Sequence, residues 1–261
     1  MSLTTLERRR LPLSDASAEI RVDGGDDGHG ERRFHGYATK FNARTAIGNP
    51  LTWGFYEEFA AGVYTKTLSE GDQRFLIDHD SYYVVSRVSA DTLNLAQDRV
   101  GLAVDSALDM RLSYVSDLAV NLENRNVTGM SVGFYPVKVD WVEEDIETSD
   151  GQSATVEVRI IREAKLIEVS AVTFPAYEDT EADVRSVSAA LLRRGDPGAI
   201  ERRAAHRPEL RDLLQVIEPR EPGEPTRADA SEEPGESTPR RHVDRIDLAM
   251  RGLAARYRLP R

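Results

Sequence analysis

The sequence predicts a mainly β (α+β) fold: a closed or nearly closed β-barrel with a few flanking helices, followed by a helical, partly disordered C-terminal tail. Between about residues 31 and 187, apolar and polar residues mostly alternate, which is the period of strands. Few segments there have helical spacing, and many strands with few helices favour a barrel. The composition changes near residue 187, and eight of the 12 prolines lie beyond it.

Period-two alternation identifies the predicted strands one by one. In RFLIDHD it places Phe75, Ile77 and His79 on one face, and TLNLAQDRVGLAVDSAL has the pattern of a β-hairpin. Further strands are predicted in TGMSVGFY, VKVDW, TVEVRII and KLIEVSAVTF. The acidic segment 142–153 is predicted to be a loop between them.

Apolar residues at helical spacing predict the helices. RLSYVSDLAVNLENRN gives the clearest helix of the barrel region, and a shorter one is predicted at residues 64–68. In the tail, SVSAALLRRG should end at Gly195, a residue type common just after helix C-termini. Asp196 and Pro197 suit the N-cap and first position of a second helix, which Pro208 interrupts.

Three regions follow from these patterns. Residues 1–30, which end in DGGDDGHG, are expected to be flexible, and residues 31–187 form the barrel domain. Residues 188–261 form a C-terminal extension. Its segment 218–241 is rich in Pro, Glu and Ser, cannot bury a core, and is predicted to be a disordered linker. The apolar seam at 243–257 is too short to hold a coiled coil alone.

Composition excludes several classes of protein. The chain has no cysteine, which rules out a disulfide scaffold, a cysteine nucleophile and a thiolate metal site. A net charge of −11 disfavours binding to nucleic acid through its phosphates. No apolar run is long enough to span a membrane, and the N-terminus lacks the apolar stretch of a signal peptide. A soluble cytoplasmic protein without nucleic-acid or membrane partners is therefore expected.

The segment from Gly129 to Gly133 spells Gly-x-Ser-x-Gly around Ser131, as in the nucleophile elbow of α/β-hydrolases. An elbow turns from a strand into a helix, but FYPVKVDW follows here and predicts an extended chain. The histidines after Ser131 are His206 and His242, both in the charged tail. The elbow interpretation is therefore rejected, although Ser131 remains a candidate nucleophile that needs a base.

His79 is the candidate base, because it extends the apolar face of Phe75 and Ile77 and should be partly buried. A buried imidazole needs a partner for its second nitrogen. The alternative is a core histidine that bonds to backbone.

Glu168 is the candidate partner of His79. In KLIEVSAVTF it shares one strand face with Leu166 and Ser170, with apolar residues on both sides. A carboxylate there must be paired, either with an arginine or with the second N–H of His79. The second choice would reproduce the acid of a serine triad.

Five segments of the predicted barrel occur in the order found in a known family. They are HGYATKFN (35–42), FYEEFAAGVYTKTL (55–68), FLIDHD (75–80), GMSVGF (129–134) and LIEVSAVTFPAYEDT (166–180). They resemble the prohead (capsid maturation) proteases of tailed bacteriophages, which are similar in fold to the herpesvirus assemblin proteases. The resemblance covers about residues 34–187. AAGVY departs from the Pro-Gly-Ala-Phe-like turn of many members.

The resemblance implies a serine endopeptidase of Ser-His-Glu type. The family's nucleophile falls on Ser131, its base on His79 and its acidic third member on Glu168, with Asp80 and Glu178 as the next candidates for the acid. The herpesvirus relatives use a second histidine in the third position. No cofactor and no metal are implied.

The resemblance also implies partners and a place of action. The substrates would be a scaffold protein or the major capsid protein, and such proteases often cleave themselves. They act in the host cytoplasm inside the immature capsid (procapsid), and a homo-oligomer is left open. The C-terminal extension suits packaging into the shell through contacts with capsid or scaffold. The alternative is a solvated tail without a specific partner.

Two competing functions belong to other classes. One is a non-catalytic assembly or scaffold factor that keeps a protease-like barrel. The other is a metal hydrolase that uses Asp78, His79 and Asp80. Successive residues of a strand point in opposite directions, so these three could converge on a metal only at a kink.

Overall fold

The computed structural model describes residues 6–23, 31–174 and 181–217, and for residues 22, 23, 181 and 182 it describes the backbone only. The strands are β1 (Glu7–Pro12), β2 (Glu19–Asp23), β3 (Glu31–Lys40), β4 (Thr45–Ile47), β5 (Phe55–Phe59), β6 (Arg74–Ile77), β7 (Asp80–Arg87), β8 (Leu93–Gln97), β9 (Gly101–Ala107), β10 (Gly129–Glu147) and β11 (Ser153–Val172). The helices are α1 (Leu13–Ala16), α2 (Thr65–Glu70), α3 (Ser113–Glu123), α4 (Glu181–Arg194), α5 (Pro197–Ala204) and α6 (Leu214–Ile217), with 3-10 segments at Val88–Ala90 and Pro208–Leu213. The prediction of a mainly β fold with a few helices is confirmed.

The described strands form two sheets, and neither closes on itself. The seven-stranded sheet runs in the order β1-β10-β11-β5-β4, with β6 paired to β11 and β7 paired to β6. The four-stranded sheet has the order β2-β3-β9-β8. The predicted barrel is therefore not supported. Alternation indicates which face of a strand is buried, whereas closure depends on strand tilt and stagger, which the pattern does not encode.

The longest strand pairing of the seven-stranded sheet is the antiparallel pair of β10 and β11. It runs from Gly129 opposite Val172 to Glu147 opposite Ser153. The predicted loop at 142–153 is therefore wrong for most of its length, and TVEVRII and KLIEVSAVTF are parts of one strand. Most of the acidic residues that suggested a loop lie on exposed positions of β10, where pairing with β11 satisfies the backbone.

The main core packs against the strands that carry the candidate residues. Met130, Val132 and Phe134 alternate along β10 and are fully buried in it. The predicted hairpin is confirmed as β8 and β9, with Leu95 opposite Val104. The two predicted helices of this region are confirmed as α2 and α3.

A second core lies under the helices that follow residue 181. Residues of α4 and α5 pack against Trp53 and Phe55, and the cluster consists of Ile47, Trp53, Phe55, Val187, Ala190, Leu191, Leu192, Ala199, Ile200, Ala204, Leu210 and Leu213. The predicted helix signals are confirmed, since Gly195 has φ +66° and the Asp196 side chain accepts from the Ala199 amide.

The predicted boundaries between the three regions cut across the observed elements at two places. The boundary at residue 187 falls inside α4, and the N-terminal region 1–30 includes β1, α1 and β2. The three-region division stays a prediction, and any truncation that tests it should leave α4, α5 and α6 intact. The linker at 218–241 and the seam at 243–257 lie outside the described residues. In the described part of the chain, no helix is long and apolar enough to cross a membrane.

Four buried charges tie β1 to β5 and β11. Arg159 bonds to Glu7 (Nη1–Oε2, 2.7 Å) and Glu57 (Nη1–Oε2, 2.8 Å), and Arg9 bonds to the same two carboxylates. Burial opposes ionisation of Glu7, but the attraction of Arg159 and Arg9 outweighs it and holds the pKa of Glu7 below its ordinary value. We call Glu7, Arg9, Glu57 and Arg159 the buried ionic cluster.

Candidate active site

Ser131 lies on β10 at a position that the structure buries completely. It is directly opposite Ser170 of β11 on one side and Arg10 of β1 on the other. Its hydroxyl donates to the backbone oxygen of Arg9, with Oγ and O 3.0 Å apart. Strand β10 continues to Glu147 without a helix, which confirms the rejection of the α/β-hydrolase elbow.

His79 occupies a tight turn and not a strand, so the predicted extension of the strand through this residue is wrong. Strand β6 ends at Ile77, which pairs with Asp80 at the start of β7. The two residues between them, Asp78 and His79, have φ of +47° and +62°. Positive φ at both central residues is the requirement of a type I′ hairpin turn, and such conformations in non-glycine residues concentrate at functional sites.

The two carboxylate oxygens of Glu168 have separate partners. Oε1 lies 2.6 Å from His79 Nδ1, and Oε2 accepts from the Ser170 hydroxyl at 2.6 Å. The His79 and Glu168 side chains are only 5% and 8% exposed. Of the two partners predicted for Glu168, the structure therefore has the histidine. An ionised carboxylate can only accept, so Nδ1 carries the proton and Nε2 is the basic nitrogen.

The basic nitrogen of His79 is available for chemistry. Nε2 is buried and has no hydrogen-bond partner within the residues that the structure describes. In a serine triad this nitrogen takes the proton of the nucleophile. The Ser131 hydroxyl donates to the Arg9 backbone oxygen instead, so the structure does not join Ser131 and His79 by a hydrogen bond. The other histidine of the strand region, His35, lies on β3 with Nδ1 3.6 Å from Asp105 Oδ1.

A register shift orients Glu168 toward His79. Gly133 is opposite Glu168, but the next residue, Phe134, is opposite Leu166, so one residue of β11 is skipped. Leu166 packs in the main core, whereas Glu168 contacts His79 and Ser170. The prediction that Leu166 and Glu168 share a face is therefore wrong, because a bulge reverses the alternation between them.

Gly133 leaves the space that the Glu168 carboxylate occupies. A Cβ built on Gly133 would lie 2.2 Å from Glu168 Oε1, the oxygen that contacts His79. Any larger residue must therefore displace the carboxylate. The second glycine of the Gly-x-Ser-x-Gly sequence thus has a local structural reason unrelated to an elbow.

If Glu168 is the acid that the family resemblance implies, Gly133→Ala should lower the cleavage rate by about a hundredfold, because a displacement of about 1 Å in such a group has effects of that size. The rate is measured on a peptide that spans the processed bond. Gly198→Ala is the matched control, since the nearest atom to its added methyl group is 3.4 Å away. Equal activity of both variants and the wild type would contradict the role given to Gly133.

The remaining candidates are placed elsewhere. Asp78 accepts from the backbone amide and hydroxyl of Thr173, and Asp80 accepts from the Tyr82 amide. These bonds direct the two carboxylates away from a shared centre with His79. Among the described residues, no group of three or more His, Asp or Glu side chains could hold a metal ion. Glu178 lies outside the described residues.

Comparison with known proteins identifies the family. The model of the Caudovirus prohead serine protease family matches residues 17–193. The chain belongs to this family. The predicted resemblance is confirmed, and the protein is a serine protease of the capsid-maturation class. Among solved structures, the chain is similar to the bacteriophage T4 capsid assembly protease, with 12% identity, 66% of this chain and 99% of that chain covered, and a TM-score of 0.39. No curated protein matches the chain.

The sequence did not indicate that Ser170, Gly133 and Arg9 are neighbours of the candidate residues in this prohead protease. Ser170 could have been found, because it lies two residues from Glu168 and therefore on the same strand face. Gly133 stands in the same relation to Ser131. No sequence signal indicates that the backbone of Arg9 contacts Ser131, because that contact depends on the pairing of β1 with β10.

Proposed function

We propose that this prohead protease is an endopeptidase that uses Ser131, His79 and Glu168, and that it cleaves scaffold protein or a scaffold-like segment of the major capsid protein inside the immature capsid. Self-cleavage belongs to the same proposal. The observation that supports it most directly is the state of His79: Nδ1 contacts Glu168 Oε1 at 2.6 Å, and Nε2 has no partner in the described residues.

In the proposed mechanism, His79 Nε2 takes the proton of Ser131 while Oγ attacks the carbonyl carbon of the scissile peptide bond. The imidazolium then returns this proton to the leaving amine. Glu168 stays ionised, holds the proton on Nδ1 and stabilises the imidazolium. A water molecule, activated by His79, hydrolyses the acyl-enzyme and restores the serine.

The second candidate function is a non-catalytic assembly factor, and one observation favours it. Ser131 is fully buried and donates to Arg9, not to His79. Catalytic hydrogen bonds are often long or misaligned without substrate, so this contact does not exclude catalysis. The two functions differ in their products, since a protease yields shortened chains and an assembly factor does not.

Co-expression with the major capsid protein of the same virus distinguishes these functions. Intact masses of both chains are measured for the wild type and for Ser131→Ala. We expect a shortened capsid or scaffold chain with the wild type and full-length chains with the variant. Full-length chains in both cases, together with normal shells, would favour the assembly factor.

We expect Glu168→Gln to reduce the rate by about ten-thousandfold, less than loss of the nucleophile or base, because orientation is largely kept while the charge is lost. The rate is measured on the peptide mapped by co-expression. Glu163→Gln is the control, since Glu163 also lies on β11 but is half-buried and pairs with the exposed Lys138. A wild-type rate in Glu168→Gln would transfer the acid role to another residue.

A chain that ends at Ile217 tests the proposed role of the remaining extension. It keeps the second core and lacks the linker and the seam. We expect unchanged peptide hydrolysis but loss of co-assembly with capsid shells, because a short amphipathic segment on a linker is stabilised by docking on a partner. Sedimentation of shells followed by mass analysis measures incorporation. Normal incorporation would show that residues 218–261 are not the delivery segment.

A further inference from the structure

Ser170 connects the candidate acid and the candidate base through a single hydroxyl group. Its Oγ donates to Glu168 Oε2 at 2.6 Å and accepts from the His79 backbone amide at 3.2 Å. The residue is completely buried. Together with the contact between Glu168 Oε1 and His79 Nδ1, these bonds form a closed ring of hydrogen bonds.

This ring fixes two groups that would otherwise be poorly held. The Glu168 carboxylate ends in a torsion that is broad and weakly restrained, so one contact at Oε1 leaves it free to rotate. The His79 amide lies in a turn residue with φ +62°, outside the hydrogen bonds between β6 and β7. A buried amide or carboxylate oxygen without a partner is costly, and the Ser170 hydroxyl satisfies one of each.

The same geometry argues against Ser170 as the nucleophile. Its proton is directed to a carboxylate and its lone pair to an amide, whereas a nucleophilic serine needs a basic nitrogen. Nε2 of His79 is the basic nitrogen of the site, and it is not a partner of Ser170. Ser170 lies directly opposite Ser131 on the neighbouring strand, so it is part of the candidate site but is not the nucleophile.

We propose that Ser170 is a positioning residue for proteolysis, which holds Glu168 against His79 by bridging the Glu168 carboxylate and the His79 backbone amide. This rests on the proposed function of Ser131, His79 and Glu168. The bridge donates a hydrogen bond to the carboxylate, so it also moderates how strongly Glu168 attracts the imidazolium.

The test compares Ser170→Ala with Ser106→Ala. Ser106 is a control because it is equally buried, lies on β9 of the four-stranded sheet and bonds to Ser86 of β7, not to Glu168 or His79. We expect Ser170→Ala to lower kcat/KM about tenfold to a hundredfold, mostly through kcat. We also expect the acidic limb of its pH–rate profile to move, whereas Ser106→Ala should leave this limb in place. Circular dichroism and thermal unfolding give the folded fraction used to normalise each rate.

A double-mutant cycle distinguishes a positioning role of Ser170 from a general loss of fold stability. In the Glu168→Gln background, Ser170→Ala should cause little further loss, because it acts through Glu168. Additive losses with an unmoved pH profile would overturn the positioning role. If Ser131→Ala is inactive while Ser170→Ala behaves as wild type, this inference fails and the proposed function stands. Activity in Ser131→Ala with none in Ser170→Ala would overturn both.

Discussion

Ser131→Ala and His79→Ala should each reduce cleavage by roughly a million-fold, because nucleophile and base act as a unit and either loss is nearly as severe as losing both. His79 Nε2 is the basic nitrogen of the site, and its orientation depends on Glu168 at 2.6 Å from Nδ1. Without the imidazole, the Ser131 hydroxyl has no group of suitable basicity in the proposed mechanism.

Single-turnover kinetics on the mapped peptide measure both losses, and the double variant should be no slower than the worse single one. His35→Ala and Ser106→Ala are the matched controls, since they remove the same residue types from the second sheet. Processing at the wild-type rate by either Ser131→Ala or His79→Ala would contradict the assignment.

Arg159→Met should destabilise the fold by about 3–5 kcal/mol, because it removes the guanidinium that bonds to both buried carboxylates and leaves Arg9 as the remaining partner shared by Glu7 and Glu57. Arg159 is fully buried and bonds to both carboxylates. The control is Arg162→Met on the same strand, whose partner Asp140 is also 2.8 Å away but exposed. Loss of an exposed pair costs about 0–1 kcal/mol.

Urea unfolding, monitored by far-UV circular dichroism in the Ser131→Ala background, measures both changes without self-digestion. In wild type, the pKa of Glu7 is below its ordinary value of 4.5. The ionised Glu7 therefore stabilises the fold above pH 4.5, and this stabilisation is lost as the pH falls through the lowered pKa. In Arg159→Met, protonation of the buried carboxylates should reduce the loss of unfolding free energy relative to wild type as the pH falls. A loss equal to that of Arg162→Met would contradict this account.

The local elements were largely predictable from sequence, because their signals are local. Helix α3 follows from apolar spacing, and the end of α4 follows from Gly195 and Asp196. The loop predicted at 142–153 is limited to residues 148–152, since acidic residues suit an exposed strand as well as a turn. The barrel was not supported, because closure depends on the stagger of all strands together.

The sequence by itself identified the residues that we propose for the chemistry. Ser131, His79 and Glu168 follow from residue type, from apolar flanks and from five segments in family order. They are distant in the chain, and His79 and Glu168 are separated by 89 positions. Residue type indicates what each group can do, but not which groups meet.

Tertiary structure decided that His79 and Glu168 meet and which group Ser131 contacts. The parallel pairing of β6 with β11 places the turn that carries His79 beside Glu168, and a one-residue bulge rotates Glu168 out of the core. Pairing of β1 with β10 brings the Arg9 carbonyl to Ser131, and the absence of a side chain at Gly133 leaves room for the carboxylate. These contacts depend on strand register, which is set by the packing of the whole sheet and not by local sequence.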